Sequence, residues 1–195
     1  MGSTLSLLIS EKKYKSLDVV ILSPCEESIP LDKEAGCIVE ECRKVYTEIF
    51  GLEMEQLKIY SFPVRRLNEF RQDILEALIQ LKEEINPDII FTTSIYDTHQ
   101  DHQVVGIETE RAFNGTQTIL AFEIFKNYSH HKNILYVKCT DNDLYKKMKA
   151  LECYDSQSHR FYFSKDIIKG IMLARGSQCG YDGIVEAFEV IKMVL

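Results

Sequence analysis

Apolar residues along this chain follow two rhythms that alternate from end to end. A short run dominated by β-branched residues reads as a buried strand at residues 17–22 (Leu-Asp-Val-Val-Ile-Leu), and further strands are read at 56–62 and 88–93. Longer stretches with helical spacing separate them. Residues 3–15 give a helix of two to three turns, and residues 34–50 give one that ends at Gly51, a good residue just past a helix. Residues 67–85 place Phe70, Ile74, Ala77, Leu78 and Leu81 on one face, and Asn86-Pro87 stops them. Residues 104–112 form the next helix. Further strands are expected at 119–123 and 134–138, and further helices at 143–154 and 165–174. The tail, 184–194, is a short strand or a helix, with helix preferred. The order αβαβαβα predicts a doubly wound, Rossmann-like α/β fold, its sheet mostly parallel with helices on both faces. Such a sheet normally opens with a strand. This chain opens with a helix, so the first strand is expected to be missing.

Composition narrows the picture. A chain of 195 residues fits one domain, and no linker, repeat or low-complexity segment divides it, so residues 1–195 are read as a single domain. The net charge of −7 gives no electrostatic footprint for nucleic acid. The six cysteines (Cys25, Cys37, Cys42, Cys139, Cys153, Cys179) show no CxxC pairing, which suggests reduced thiols in a cytoplasmic protein. No apolar run approaches the about 18 residues of a membrane span. A homo-oligomer is compatible with the sequence.

The densest chemistry lies just beyond the strand at 88–93, in Asp97-Thr98-His99-Gln100-Asp101-His102. Open α/β sheets place their sites at that edge. Imidazole and carboxylate together suit a zinc-type ligand set in which a carboxylate orients an imidazole. The plain alternative is a polar loop capping the next helix, with Asp101 as the cap. No glycine-rich phosphate loop supports a nucleotide-binding reading.

Four elements in order resemble one family, the LmbE-like or PIG-L-type metal-dependent de-N-acetylases. Residues 97–102 look like its D-x-H-x-D-H element. Lys147 to Gln157 resembles its K-x-x-A-L-x-x-[HY]-x-S-Q helix. Arg175-Gly176, followed by Glu186-Ala187-Phe188, resembles its ending. The resemblance implies removal of an N-acetyl group from an N-acetylglucosaminyl conjugate with Zn²⁺ or another divalent metal. It makes His102 a metal ligand and His99 the group that meets the oxyanion and protonates the leaving amine, with Asp101 hydrogen-bonded to His99. Asp97 shapes the loop. Lys147, Ser156, Gln157, Arg175 and Glu186 take supporting roles, Glu186 closing the C-terminal lobe.

The family's other signature, H-P-D-D-E before a G-G-T, is absent from this sequence. One explanation is a degenerate copy at Ser23-Pro24-Cys25-Glu26-Glu27. The other is that Gly2-Ser3-Thr4-Leu5 matches the residues after the signature, so that the chain begins late. The second is preferred, because the spacing from Leu17 to His102 then needs no insertion. Without that signature, this sequence is expected to bind zinc weakly or not at all. Arg65 or Arg66, past the strand at 56–62, could reach a sugar or phosphate, although a solvated pair is the plainer expectation. His130-His131 and His159 are expected on the surface. The competing function is a sugar-binding or scaffold relative whose metal signature has decayed.

Overall fold

A computed structural model describes residues 1–127 and 134–194; His130 and His131 lie outside the described residues. In chain order the elements are α1 (Gly2–Glu11), β1 (Val19–Ile21), α2 (Cys37–Lys44), β2 (Leu57–Ile59), α3 (Arg71–Ile85), β3 (Ile89–Thr92), α4 (Gln100–Ala112), β4 (Thr118–Phe122), β5 (Ile134–Lys138), α5 (Asp141–Glu152), α6 (Lys165–Gln178) and β6 (Val185–Lys192). The α/β class and the parallel strand pairing expected from the sequence both hold. β1 pairs with β2 in parallel, and β3 with β4 in parallel. The strands form a two-stranded sheet, β1-β2, and a four-stranded sheet of order β3-β4-β6-β5. The chain divides into two compact units, Met1–Val64 with Val137–Glu186 and Arg65–Tyr136 with Ala187–Leu195.

In the first unit, α1 lies on α5 through small hydroxyl residues. Ser3, Thr4 and Ser6 are buried there, and the Ser6 hydroxyl donates to Asp143 Oδ1 at 2.7 Å. A Cβ on Gly2 would sit 3.0 Å from Lys147 Cγ, so a bulky residue would push the helices apart. Leu5, Val45, Phe50, Leu52 and Ala150 form one apolar cluster. Cys139, Leu144, Met148, Ile168, Met172 and Ile184 form another. The helix expected at 34–50 starts later, because Gly36 has φ 81° and turns the chain before Cys37. After α2 it widens into a π-helical turn, Val45–Ile49, and stops at Gly51 with φ 69°. The run Ser23 to Glu27 is a local loop after β1. Cys25 has φ 56°, and Glu26 accepts the Gly36 N–H at 3.1 Å.

In the second unit, α3 buries Ile74, Leu75, Leu78 and Leu81 and packs on α4. Gly106 permits α4 to lie against the end of β3, since a Cβ there would meet the Thr93 carbonyl oxygen at 2.7 Å. The tail corrects the sequence expectation of a helix: it is β6, antiparallel to β4, with Leu120 opposite Val190 and Phe122 opposite Phe188. Gly180 (φ 72°) breaks the chain after α6, and the β-branched Val185, Val190 and Ile191 favour the extended state. β6 lies between β4 and β5, and Val185, Ala187 and Phe188 are all buried, as in a strand whose sheet is covered on both faces.

Candidate functional site

The loop from β3 to α4 carries the site. Thr93, Ser94 and Asp97 are buried in it, Asp97 with only 2% of its side chain exposed. The Ser94 hydroxyl donates to the buried Glu189 carboxylate on β6 at 2.7 Å. Gln103 Nε2 donates to the Asp97 carbonyl at 2.7 Å, and the Thr98 N–H to the Asn127 carbonyl at 3.1 Å. This frame fixes Asp97, whose two carboxylate oxygens are both in use. Oδ1 accepts the His99 backbone N–H at 2.7 Å, and Oδ2 lies 2.9 Å from His102 Nδ1. An ionised carboxylate only accepts, so His102 Nδ1 carries the proton. The Asn127 amide, 3.5 Å from the same nitrogen, is too distant to compete. In its neutral form His102 therefore has its unprotonated nitrogen at Nε2.

His99 has the opposite tautomer. It is the N-cap of α4, its Nδ1 accepting the Asp101 backbone N–H at 3.2 Å. The neutral ring thus holds its proton on Nε2. The two rings stack, with centroids 4.6 Å apart and planes at 24°. One imidazole offers a donor and its neighbour an acceptor, side by side at the C-terminal edge of a strand. Burial lowers the His99 pKa and the adjacent His102 lowers it further, against opposing pulls from Asp101 and Asp97. His99 is therefore neutral at neutral pH.

Two sequence expectations change. The helix cap is His99, not Asp101. The Asp101 carboxylate does not hold His99; it accepts the Arg65 N–H at 2.5 Å and the Leu67 N–H at 3.3 Å, reaching His99 only through its charge. The backbone geometry explains this. Arg65 has φ 66°, unusual for a residue with a side chain, and a buried carboxylate holds that turn in place. The two arginines also separate. Arg66 is held by Glu69 through two bonds, 3.0 and 2.6 Å long. The Arg65 side chain is exposed, and among the described residues no carboxylate side chain pairs with its guanidinium. Its charge is felt at His99.

Arg65, Asp97, His99, Asp101 and His102 all belong to the second unit. Arg66 lies there too, and Lys147, Ser156, Gln157, Arg175 and Glu186 belong to the first. Lys147 pairs with Glu186 at 2.6 Å, Ser156 donates to Glu41, Gln157 accepts from Arg160, and Arg175 donates to Gln178 at 2.6 Å. His159 is exposed. Sequence reasoning missed Ser94, Glu189 and Asn127. The available signal was Glu189, an acid flanked by Phe188 and Val190 in β6, which has to find a partner when buried.

Zinc can be tested against these donors. Among the described residues no group of three or more His, Cys, Asp or Glu side chains could hold a metal ion. A catalytic zinc takes three protein ligands. His102 offers one nitrogen, and Asp97 and Asp101 are committed to hydrogen bonds. These residues do not by themselves make the expected centre.

Neutralising Asp97 gives a direct check on the paired tautomers. In Asp97→Asn, His99 is expected to titrate still lower than in the parent, because one of the two charges raising its pKa is gone. Ring-nitrogen NMR across a pH series measures this. A parent His99 titrating at or above about 6.5, the ordinary histidine value, would contradict the arrangement. A lowered folded pKa also means that the unfolded chain takes the proton more readily. The His99 contribution thus turns against the fold as pH falls through the ordinary histidine range.

Similar folds occur in solved structures. GalB, the 4-carboxy-2-hydroxymuconate hydratase of Pseudomonas putida KT2440, is 16% identical with TM-score 0.73, covering 100% of this chain and 90% of its own. The N,N'-diacetylchitobiose deacetylase from Pyrococcus horikoshii, complexed with its inhibitor MPG, is 17% identical with TM-score 0.73, covering 98% and 78%. The zinc inhibited form of a teicoplanin deacetylase is 11% identical with TM-score 0.74, covering 96% and 91%. At these identities the likeness establishes the fold, which serves a hydratase as well as deacetylases. Comparison with curated proteins gives no match. The model of the PIG-L family, GlcNAc-PI de-N-acetylase, matches residues 2–113, more than half of the sequence, and this chain belongs to that family.

Proposed function

We propose that this chain recognises a small N-acetylated amino-sugar conjugate, of the N-acetylglucosaminyl type, at the Asp97–His102 edge, and that His99 and His102 are the proton-handling side of a de-N-acetylase site. The observation that carries this reading is the stacked pair with opposed tautomers. In amide hydrolysis water adds to the carbonyl carbon and the oxygen takes up negative charge. The His99 Nε2–H is a donor for that oxygen, and a positioned donor of this kind is worth about 10²–10³ in rate. Asp97 keeps the His102 Nε2 lone pair available. Arg65, rather than Arg66, is the arginine available to a substrate oxygen or phosphate.

The metal dependence of the family enters only as one ligand, His102, and no step is derived through it. That shortfall in donors supports the second reading, a sugar-binding relative without turnover, for the 195-residue chain. Its thiols suit a cytoplasmic setting; all six cysteines are free of disulfides. Among the described residues no helix is long and apolar enough to cross a membrane.

The chain is expected to show no submicromolar zinc binding by chelator competition. Amine release from an N-acetylglucosaminyl conjugate should match that of His99→Ala. The same conjugate should shift the His99 and His102 ring resonances, with Arg65→Ala weakening the effect and Arg66→Ala sparing it. Tight zinc binding with turnover that His102→Ala removes would overturn the inactive reading. Ring resonances unmoved by the conjugate would overturn the recognition reading.

A further inference from the structure

Ser156 and Gln157 are singled out by the sequence and unused by the histidine pair. Within the first unit they belong to a continuous hydrogen-bonded chain. Glu41 on α2 accepts the Ser156 N–H at 2.8 Å and its hydroxyl at 2.6 Å. Gln157 Nε2 donates to the Ser156 hydroxyl at 3.1 Å, and Gln157 Oε1 accepts from Arg160 Nε at 2.5 Å. Arg160 in turn donates to the Tyr162 hydroxyl, its guanidinium 5.9 Å from the centre of that ring. A flexible arginine is thereby held in one place, and the ordering that binding normally requires is already done.

Arg160 lines a concavity of about 270 Å³ together with Met148, Leu151, Tyr154, Phe161 and Phe163, with Glu152, Ser158 and Ser164 as its other polar lining residues. Phe161 is 77% exposed at the mouth of the concavity, so its ring is open to a ligand. Among the described residues no carboxylate pairs with Arg160, whereas Arg43, Arg66, Arg71 and Arg111 each have one.

We propose that this concavity is a binding site for a small monoanion carrying one apolar ring, an aryl carboxylate. The apolar walls would take the ring and Arg160 the carboxylate. The volume falls just below the usual range of ligand pockets, which begins at about 300 Å³, and this suits a single ring. The charge balance selects the anion. One fixed guanidinium faces a lining that also holds the Glu152 carboxylate, itself paired with Lys149 at 2.7 Å, so a dianionic phosphate is disfavoured. The proposal does not depend on the de-N-acetylase reading.

The probe is phenylacetate, titrated into the full chain and followed by backbone amide NMR, with neutral phenylacetamide and phenyl phosphate in parallel. Phenylacetate should move the amides of residues 148–164 and bind more tightly than both comparators. Arg160→Gln should weaken phenylacetate about tenfold or more and leave phenylacetamide unchanged, as expected for loss of a charge-assisted bond. Gln157→Leu, which releases the arginine without removing its charge, should weaken phenylacetate by less. Circular dichroism confirms that each variant is folded; if Arg160→Gln does not fold, the phenylacetate-to-phenylacetamide preference of the parent decides. Equal binding of acid and amide, tighter binding of phenyl phosphate, or no shift up to millimolar phenylacetate would each overturn the proposal.

Discussion

Gly176→Ala is expected to be severely destabilising, although helix propensity alone favours alanine by about 0.8–1.0 kcal/mol inside a helix. Gly176 lies on α6, where an added Cβ would fall 2.0 Å from the Gly183 carbonyl oxygen and 2.9 Å from that of Tyr181. Both are backbone atoms, so no rotamer relieves the clash. The segment is pinned there, because the Tyr181 N–H donates to the Gly176 carbonyl at 2.9 Å and the Gly183 N–H to the Tyr181 carbonyl at 3.1 Å. The helix end or the turn has to move, and with it Ile184, which is part of an apolar cluster. We expect a loss of about 4 kcal/mol or more, in the range reserved for gross steric failure. Typical domains have only about 5–15 kcal/mol in total. Gly170→Ala is the control. It lies on the same helix with nothing within 4 Å of its added Cβ, and it should be neutral or stabilising by up to about 1 kcal/mol. Urea denaturation of both variants decides it. A Gly176→Ala midpoint equal to that of the parent would mean that the close approach is not a constraint.

The same residue shows what the sequence made legible and what it withheld. Arg175-Gly176 was recognisable as a family element, but its reason lies in a contact seven residues away that no spacing rule encodes. Periodicity gave α3 and β3 well, since an amphipathic face and a β-branched run are each decided locally. It failed at β6. Glu-Ala-Phe-Glu is as good a helix as a strand until β4 supplies a partner, and only the neighbouring strands resolve that choice. The site was half legible. Its position past β3 follows from the residue types and the edge rule. The roles of its carboxylates did not follow, because Asp97 and Asp101 look alike in one dimension. Burial separates them: one orients His102, and the other holds the strained Arg65 turn. The tautomers of the two histidines likewise depend on which backbone N–H or carboxylate meets each Nδ1, which spacing cannot give.

Removing the Glu186 carboxylate should have the second large effect. Glu186 is buried, and it accepts the Ser3 N–H at 3.3 Å, the Thr4 N–H at 2.7 Å and a Lys147 bond at 2.6 Å. The two backbone donors are first-turn groups of α1 that no helical carbonyl reaches, and a carboxylate there also meets the positive end of the helix dipole. Burial pushes the Glu186 pKa up, but the Met1 amino group, Lys147 and the Thr4 N–H outweigh it and hold the carboxyl well below the usual carboxylate range. A lowered folded value contributes stability that is complete above the unfolded value, about 4.3, and is lost progressively as pH falls from there toward the folded one. The contribution is therefore complete at neutral pH and survives mild acid. In Glu186→Leu, Lys147 loses its counter-charge with only 20% of its side chain exposed, and two N–H groups are stranded. Breaking a buried pair from one side costs about 3–5 kcal/mol. Lys147→Met should cost less, since the carboxylate keeps both backbone donors. Glu186→Gln should fall between the two, retaining one oxygen for the helix. Denaturation at pH 7 tests the order, and Lys147→Met proving worse than Glu186→Leu would show that the pair, not the capped helix, is what Glu186 supports. In Glu186→Leu the stability difference from the parent should also stay nearly constant between pH 7 and 5. Below about 4.3 the difference should shrink, and a difference that stays constant down to pH 3 would mean that the carboxyl titrates in the ordinary range whether folded or unfolded.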